Sequence, residues 1–241
     1  MGDWFYWAFA VKGAAGRTIT FDCSPKKWIG HFGAAVSHDL VNWRWSGGAA
    51  KDCSAFTYTF TSDEDMVYFA HDMLYHPSRF HRFCESRRIP VRILCEDRDG
   101  TPIPCVTLGE GERVMLLLAS GNVKAVFDLH SPWHQGGRND KVFLVHKEAC
   151  GTGKMEHFCR FFMEKETPES MIYHSADDVV KNEGWNDPAV MNRSCAAYSL
   201  TQPGVEFAST LETTYFGEPD NMISQARMLE TGRCLARSIK R

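Results

Sequence analysis

The sequence predicts a mixed α/β core preceded by an antiparallel β-sandwich, and three observations carry that expectation. Residues 1–61 are short aromatic and β-branched stretches broken repeatedly by turn formers. From residue 90 onward, strand-like apolar runs alternate with helix-like segments. One of those runs, Val123-Lys124-Ala125-Val126-Phe127, stops on Asp128-Leu129-His130, and a strand ending on a histidine opens onto the crevice where α/β sheets place their ligands.

In the N-terminal part, Lys12-Gly13, Ser24-Pro25 and Ser46-Gly47-Gly48 separate the apolar stretches at the spacing of an antiparallel sandwich. The chain has seven tryptophans, most of them before residue 46, which fits an aromatic core better than a ligand cage. Ser62-Asp63-Glu64-Asp65 reads as an acidic turn. Ser78 to Arg88 has the pattern of a short helix that Pro90 stops, which puts a domain boundary near residue 76 and divides the chain into 1–76 and 77–241. Val91-Arg92-Ile93-Leu94 and Val114 to Ala119 read as strands flanking a Gly/Pro/Asp-rich hairpin at 97–111. The run from Val123 and the run Val142-Phe143-Leu144-Val145 continue the sheet. Met155 to Lys165 and Ala176 to Asn182 are helical candidates. Gly204 to Glu212 alternates in strand fashion and ends on a carboxylate. Asn221 to Lys240 places apolar residues at 222, 223, 228, 229, 235 and 239, the stripe of an amphipathic helix.

Composition narrows the function classes. With 44% hydrophobic residues the 241-residue chain can build ordinary cores, and a net charge of −3 offers no broad basic field for nucleic acid. No stretch approaches eighteen consecutive apolar residues, and no basic, apolar leader precedes Trp4, so a cytoplasmic protein without a membrane span is expected. Nine cysteines, an odd number with no Cys-x-x-Cys pair, read as reduced thiols and not as a disulfide framework or a cysteine-rich metal site.

The two strand ends carry the chemistry. One His and one Glu, His130 and Glu212, each at the end of a strand, make half of a zinc hydrolase site. Ser131 follows His130 directly and is a candidate for contact with a substrate backbone. Arg138, beside Gly136-Gly137, offers a planar fork for a substrate carboxylate. His146 and Glu148 share a strand face, but ten histidines among 241 residues produce such pairs by chance.

Asp-Leu-His-Ser at 128–131 and Thr-Leu-Glu-Thr at 210–213 resemble the third-ligand and general-base segments of zinc metallocarboxypeptidases. Trp4-Phe5-Tyr6-Trp7-Ala8-Phe9, Trp43-Arg44-Trp45, Phe56 to Thr61 and Tyr68-Phe69-Ala70 resemble the β-sandwich ahead of the catalytic domain in the cytosolic-carboxypeptidase-like branch, which includes the tubulin deglutamylases. The resemblance implies zinc as cofactor, His130 as a metal ligand, Glu212 as the base and a peptide or protein C-terminal tail as partner, acidic if the deglutamylase likeness extends to specificity. It covers 4–120 and 123–241 and departs between them. The family's His-x-x-Glu ligand pair is absent, since no His in the chain is followed three residues later by Glu, and the nearest spacing is His174-Ser175-Ala176-Asp177.

Only Gly121-Asn122 intervenes between the expected strands 114–120 and 123–129. Parallel neighbours need a crossover of about a dozen residues, whereas two residues close only an antiparallel hairpin. Either the two strands pair antiparallel in a rearranged sheet, or the α/β domain is internally shortened near 120–123. Two functions follow: a zinc metallocarboxypeptidase-like protein that removes C-terminal residues, or a non-catalytic carboxypeptidase-like module that binds a peptide or protein tail.

Overall fold

The computed structural model describes residues 5–48, 54–107, 114–116, 123–146, 173–180, 182–187, 194–205 and 207–239. The chain divides into two compact units. The first comprises residues 1–80, 132–140 and 214–229, and the second comprises 81–131, 141–213 and 230–241.

In the first unit the aromatic stretches form β1 (Ala8–Lys12), β2 (Thr18–Asp22), β3 (Ala35–Ser37), β4 (Trp43–Trp45), β5 (Ala55–Thr59) and β6 (Met66–Ala70). Four of them make an antiparallel sheet in the order β1-β6-β3-β4, and β2 pairs with β5 in a separate antiparallel ladder. Period-two alternation decides which face is buried: in β5, Phe56 and Tyr58 point inward while Thr57 and Thr59 point outward. The outward hydroxyls meet Thr20 and Thr18 across the ladder at 2.9 and 3.0 Å. The inward rings join Val36, Phe60, Val67 and Phe69 in one buried cluster, with Trp7, Val11 and Phe21 packed against it. The tryptophans Trp7 and Trp43 thus serve the packing of this unit, as the composition suggests. A Cβ on Gly30 would collide with the Phe216 ring, so that position admits only glycine without rearrangement.

Helix α1 (Pro77–Ser86) lies where the sequence places it and buries Cys84. In the second unit, β7 (Val91–Glu96) pairs antiparallel with β8 (Pro102–Val106). In sequence, 97–111 reads as a hairpin flanked by strands at 91–94 and 114–119, and within it Pro102–Val106 is itself a strand. Pro102 and Pro104 read as turn residues in sequence, but an edge strand tolerates prolines because one side of its ladder is unused. The reversal is made by Asp97, whose carboxylate accepts the N–H groups of Asp99 and Thr101 at 2.9 and 2.8 Å.

The sheet that matters for function has the order β11-β12-β10-β9, formed from β9 (Val114–Leu116), β10 (Val123–His130), β11 (Phe143–Val145) and β12 (Phe207–Glu212). Strand β10 runs parallel to both β12 and β9, and β11 is antiparallel to β12, which makes the sheet mixed. The antiparallel alternative for β9 and β10 is therefore overturned. The expected strand 114–119 is described only as 114–116, and residues 117–122 lie outside the described residues. All six positions of β12 are buried, as expected of a strand covered on both faces. Helix α2 (Cys195–Leu200) covers one face through Ala196 and Leu200 against Val126 and Ala208. Its N-terminus is capped by Ser194, which accepts the Ala197 N–H.

The helix expected at 155–165 lies outside the described residues. The helix expected at 176–182 does not form: Ser175–Asp177 is a single 3-10 turn, after which Val179 bridges to Val145. The buried Asp178 carboxylate accounts for this. It accepts the Leu144 N–H at 2.8 Å, the His146 Nε2–H at 2.7 Å and the Tyr173 hydroxyl at 2.8 Å, which holds its backbone extended. Asp178→Ala should lower stability by about 1–3 kcal/mol, because it strands a buried N–H and a buried hydroxyl. A denaturant midpoint that does not move would show that these groups find other partners. The C-terminal amphipathic segment is shorter than expected, as helix α3 (Gln225–Ile239). Residues 221–222 instead form β14 (Asn221–Met222), paired with β13 (Gly217–Glu218), and the Ser224 hydroxyl accepts the Arg227 N–H at the start of α3. Among the described residues no helix is long and apolar enough to cross a membrane.

Candidate active site

Parallel register brings the two strand ends together. Asp128 pairs with Thr210, Leu129 with Leu211 and His130 with Glu212, so residues 128, 130, 210 and 212 share one face at the C-terminal ends of neighbouring strands. The pairing continues one residue further, where the Thr213 N–H donates to the His130 carbonyl at 2.8 Å and the Thr213 hydroxyl to the same oxygen at 3.1 Å. Ser131 follows, its hydroxyl 3.5 Å from that of Thr213. Backbone hydrogen bonds thus hold the site from below.

The two central side chains sit in different surroundings. The His130 ring is 65% exposed, while the Glu212 side chain is 7% exposed. His130 Nδ1 lies 3.5 Å from Glu212 Oε2, and that oxygen has no hydrogen-bond partner. Burial pushes the Glu212 carboxyl above the ordinary carboxylate range; the His130 imidazole opposes the shift and the Asp128 charge adds to it. Asp128 in turn accepts a long hydrogen bond from Thr210, at 3.5 Å. A buried carboxylate whose Oε2 lies beside an exposed imidazole without a hydrogen-bond partner is suited to take a proton.

Of the residues singled out in the sequence, His130, Glu212 and Ser131 are brought together. Arg138 lies in the 3-10 turn Gly137–Asp140, which belongs to the other unit, and the carboxylate of Asp140 closes that turn onto the Gly136 N–H. His146 is held by Asp178, and Glu148 lies outside the described residues. Thr210 and Thr213 belong to the Thr-Leu-Glu-Thr segment without being singled out as site residues, although the alternation that picks out His130 and Glu212 also places Thr210 on their face.

Catalytic zinc takes three protein ligands and keeps a fourth position open. Among the described residues no group of three or more His, Cys, Asp or Glu side chains could hold a metal ion. His130 supplies one imidazole, and its Nδ1 faces Glu212. The described donors do not fit a catalytic zinc.

No protein-family profile matches the chain. A stretch of 128 residues is 28% identical to an uncharacterized protein of Zymomonas mobilis; it takes in 48% of this chain and spans about a third, 33%, of that protein's length. Among solved structures, a metallo-carboxypeptidase from Burkholderia cenocepacia superposes with a TM-score of 0.66 at 13% identity, covering 97% of this chain and 88% of that one. A metallo-carboxypeptidase from Pseudomonas aeruginosa, in complex with (2-guanidinoethylmercapto)succinic acid, gives 0.65 at 13% identity with the same coverage. The chain has a metallocarboxypeptidase-like fold.

Proposed function

We propose that the chain is a metallocarboxypeptidase-like protein that engages the C-terminal tails of peptides or proteins at the His130–Glu212 end of its sheet. The observation that carries this reading is the pairing of His130 with Glu212 in parallel register, with the glutamate buried and its Oε2 beside the exposed imidazole. In this reading His130 descends from a zinc ligand and Glu212 from the base, and Ser131 faces the backbone of the tail. Arg138 is a further candidate for a tail carboxylate. The aromatic N-terminal strands support the finer assignment to the cytosolic-carboxypeptidase-like branch. There they correspond to its β-sandwich, the boundary falls near residue 76, the location is cytoplasmic and the tail is acidic.

A second reading, removal of the C-terminal residue, is favoured by one feature. Burial raises the affinity of Glu212 for a proton, the direction in which a general base is tuned. Zinc-dependent turnover requires two more ligands than the described residues supply. The purified 241-residue chain is therefore expected to bind zinc weakly and well below one ion per chain, because the described residues bring a single imidazole to the site and one imidazole cannot retain the ion. Elemental analysis after dialysis checks this, and one tightly held zinc per chain would overturn it. Titration with a peptide ending in glutamates tests the tail-binding reading: saturable binding weakened by His130→Ala and Glu212→Ala supports it, and equal binding by all three proteins removes it.

A further inference from the structure

His71 lies at the end of β6 in the first unit, 1% exposed, inside a cage of rings. Phe5, Tyr6, His134, Tyr215 and Phe216 surround it at centroid distances of 5.1, 5.4, 5.0, 5.3 and 5.3 Å. Its backbone N–H donates to the Trp7 carbonyl at 2.9 Å. Its Nδ1 lies 3.2 Å from the Trp28 carbonyl, an acceptor, so Nδ1 carries the proton and Nε2 the lone pair. That Nε2 is buried without a hydrogen-bond partner. Two of the caging segments, residues 132–136 and 214–217, return to the first unit directly after the β10 and β12 strand ends. His31 ties the same two segments to each other, with Nδ1 3.0 Å from Gln135 Oε1 and Nε2 2.9 Å from the Gly217 carbonyl.

We propose that His71 is an acid-sensitive latch on the return segments 132–136 and 214–217. A proton on Nε2 would place a cation and an unpaired N–H among aromatic rings, where neither is solvated. The ionisable groups facing the ring offer no anion in exchange: Tyr6 comes from the N-terminal segment, His134 from one return segment and Tyr215 from the other. Trp28 contributes a carbonyl that is already used. Asp72, next in the chain, accepts the Met73 N–H at 2.6 Å.

Geometry sets the sign for each group. Burial, with His134 adding to it, depresses the His71 imidazole from 6.5 to about 3, so between those values the released state takes up a proton that the latched state refuses. Acid therefore favours release. Burial raises Asp72 from 3.8 to about 6, opposed by the Met73 N–H, so between those values the latched state takes up the proton first. Acid there favours latching, and the two effects largely cancel in mild acid.

Hydrogen exchange on the full chain, corrected for the intrinsic pH dependence of exchange, reads the opening of peptides covering 132–136 and 214–217. With ordinary ionisation in the released state, going from pH 7 to pH 5 should raise opening about 30-fold in Asp72→Asn, with a smaller change in the unmodified chain. Adding His71→Phe to that variant should remove the rise. If His71→Phe does not fold, His71→Gln serves, because only the slope against pH is read. A rise of about 30-fold in Asp72→Asn that vanishes when His71→Phe is added supports the latch. A slope in Asp72→Asn that survives the loss of His71, or the same slope in all variants, overturns it.

Discussion

Glu212→Gln is expected to lower any release of a C-terminal residue by about 10²–10⁴-fold while leaving the chain at least as stable as before. The amide keeps the shape of the carboxylate but cannot accept a proton, so a base role is lost with little change in packing. The stability side follows from the surroundings. The carboxyl is buried with one oxygen unsatisfied, and burial raises its affinity for a proton, so ionising it in the folded chain is unfavourable. An acid whose folded pKa is raised gives a penalty that grows as the pH climbs above its unfolded value of 4.5, and glutamine is free of it at every pH. The variant's advantage in a denaturant titration should therefore be larger at pH 7 than at pH 5. Turnover that survives the substitution would rule out the base role, and a variant weakened at pH 7 would contradict the account of the burial.

Phe69→Ala should cost about 3–5 kcal/mol, the range for deleting a fully buried aromatic ring. Phe69 is completely buried on β6, and its ring meets those of Phe9, Phe21, Phe56, Tyr58 and Phe60 at centroid distances of 5.6, 5.1, 5.5, 5.1 and 6.0 Å. Five aromatic neighbours spread over three other stretches of chain cannot all close on the space left behind. A midpoint shift worth less than about 1 kcal/mol would mean that the ring cluster repacks freely.

Much of the fold is legible in the residues themselves. The period-two alternation around Phe56 and Tyr58, the pattern from Ser78 with Pro90 after it, and the apolar run ending on His130 each report local physics, and each element forms where they point. The failures have local causes too. Pro102 and Pro104 hide an edge strand behind turn-like residues. Asp178 turns an apparent helix into an extended bridge because three donors from other segments reach its carboxylate, and two of them, Leu144 and His146, are more than thirty positions away in sequence. The site is half legible in the same sense. His130 and Glu212 announce themselves at strand ends, but their adjacency depends on which strand lies beside which. That is a property of the sheet order, which neither segment encodes alone.

The same sheet order bears on when the site comes into being. His130 and Glu212 are 82 positions apart in the chain and meet only through the β10–β12 ladder, while β9, the other parallel neighbour of β10, is separated from it by six residues, 117–122. Closing the longer loop is entropically demanding and yields no contact until it is complete, so pairings of this kind form slowly and late. A nascent or partly refolded chain can therefore possess both residues, and most of its secondary structure, without possessing the pair. Tail binding should recover after dilution from denaturant with the slowest refolding phase, behind the fluorescence change that reports the aromatic cluster of the first unit.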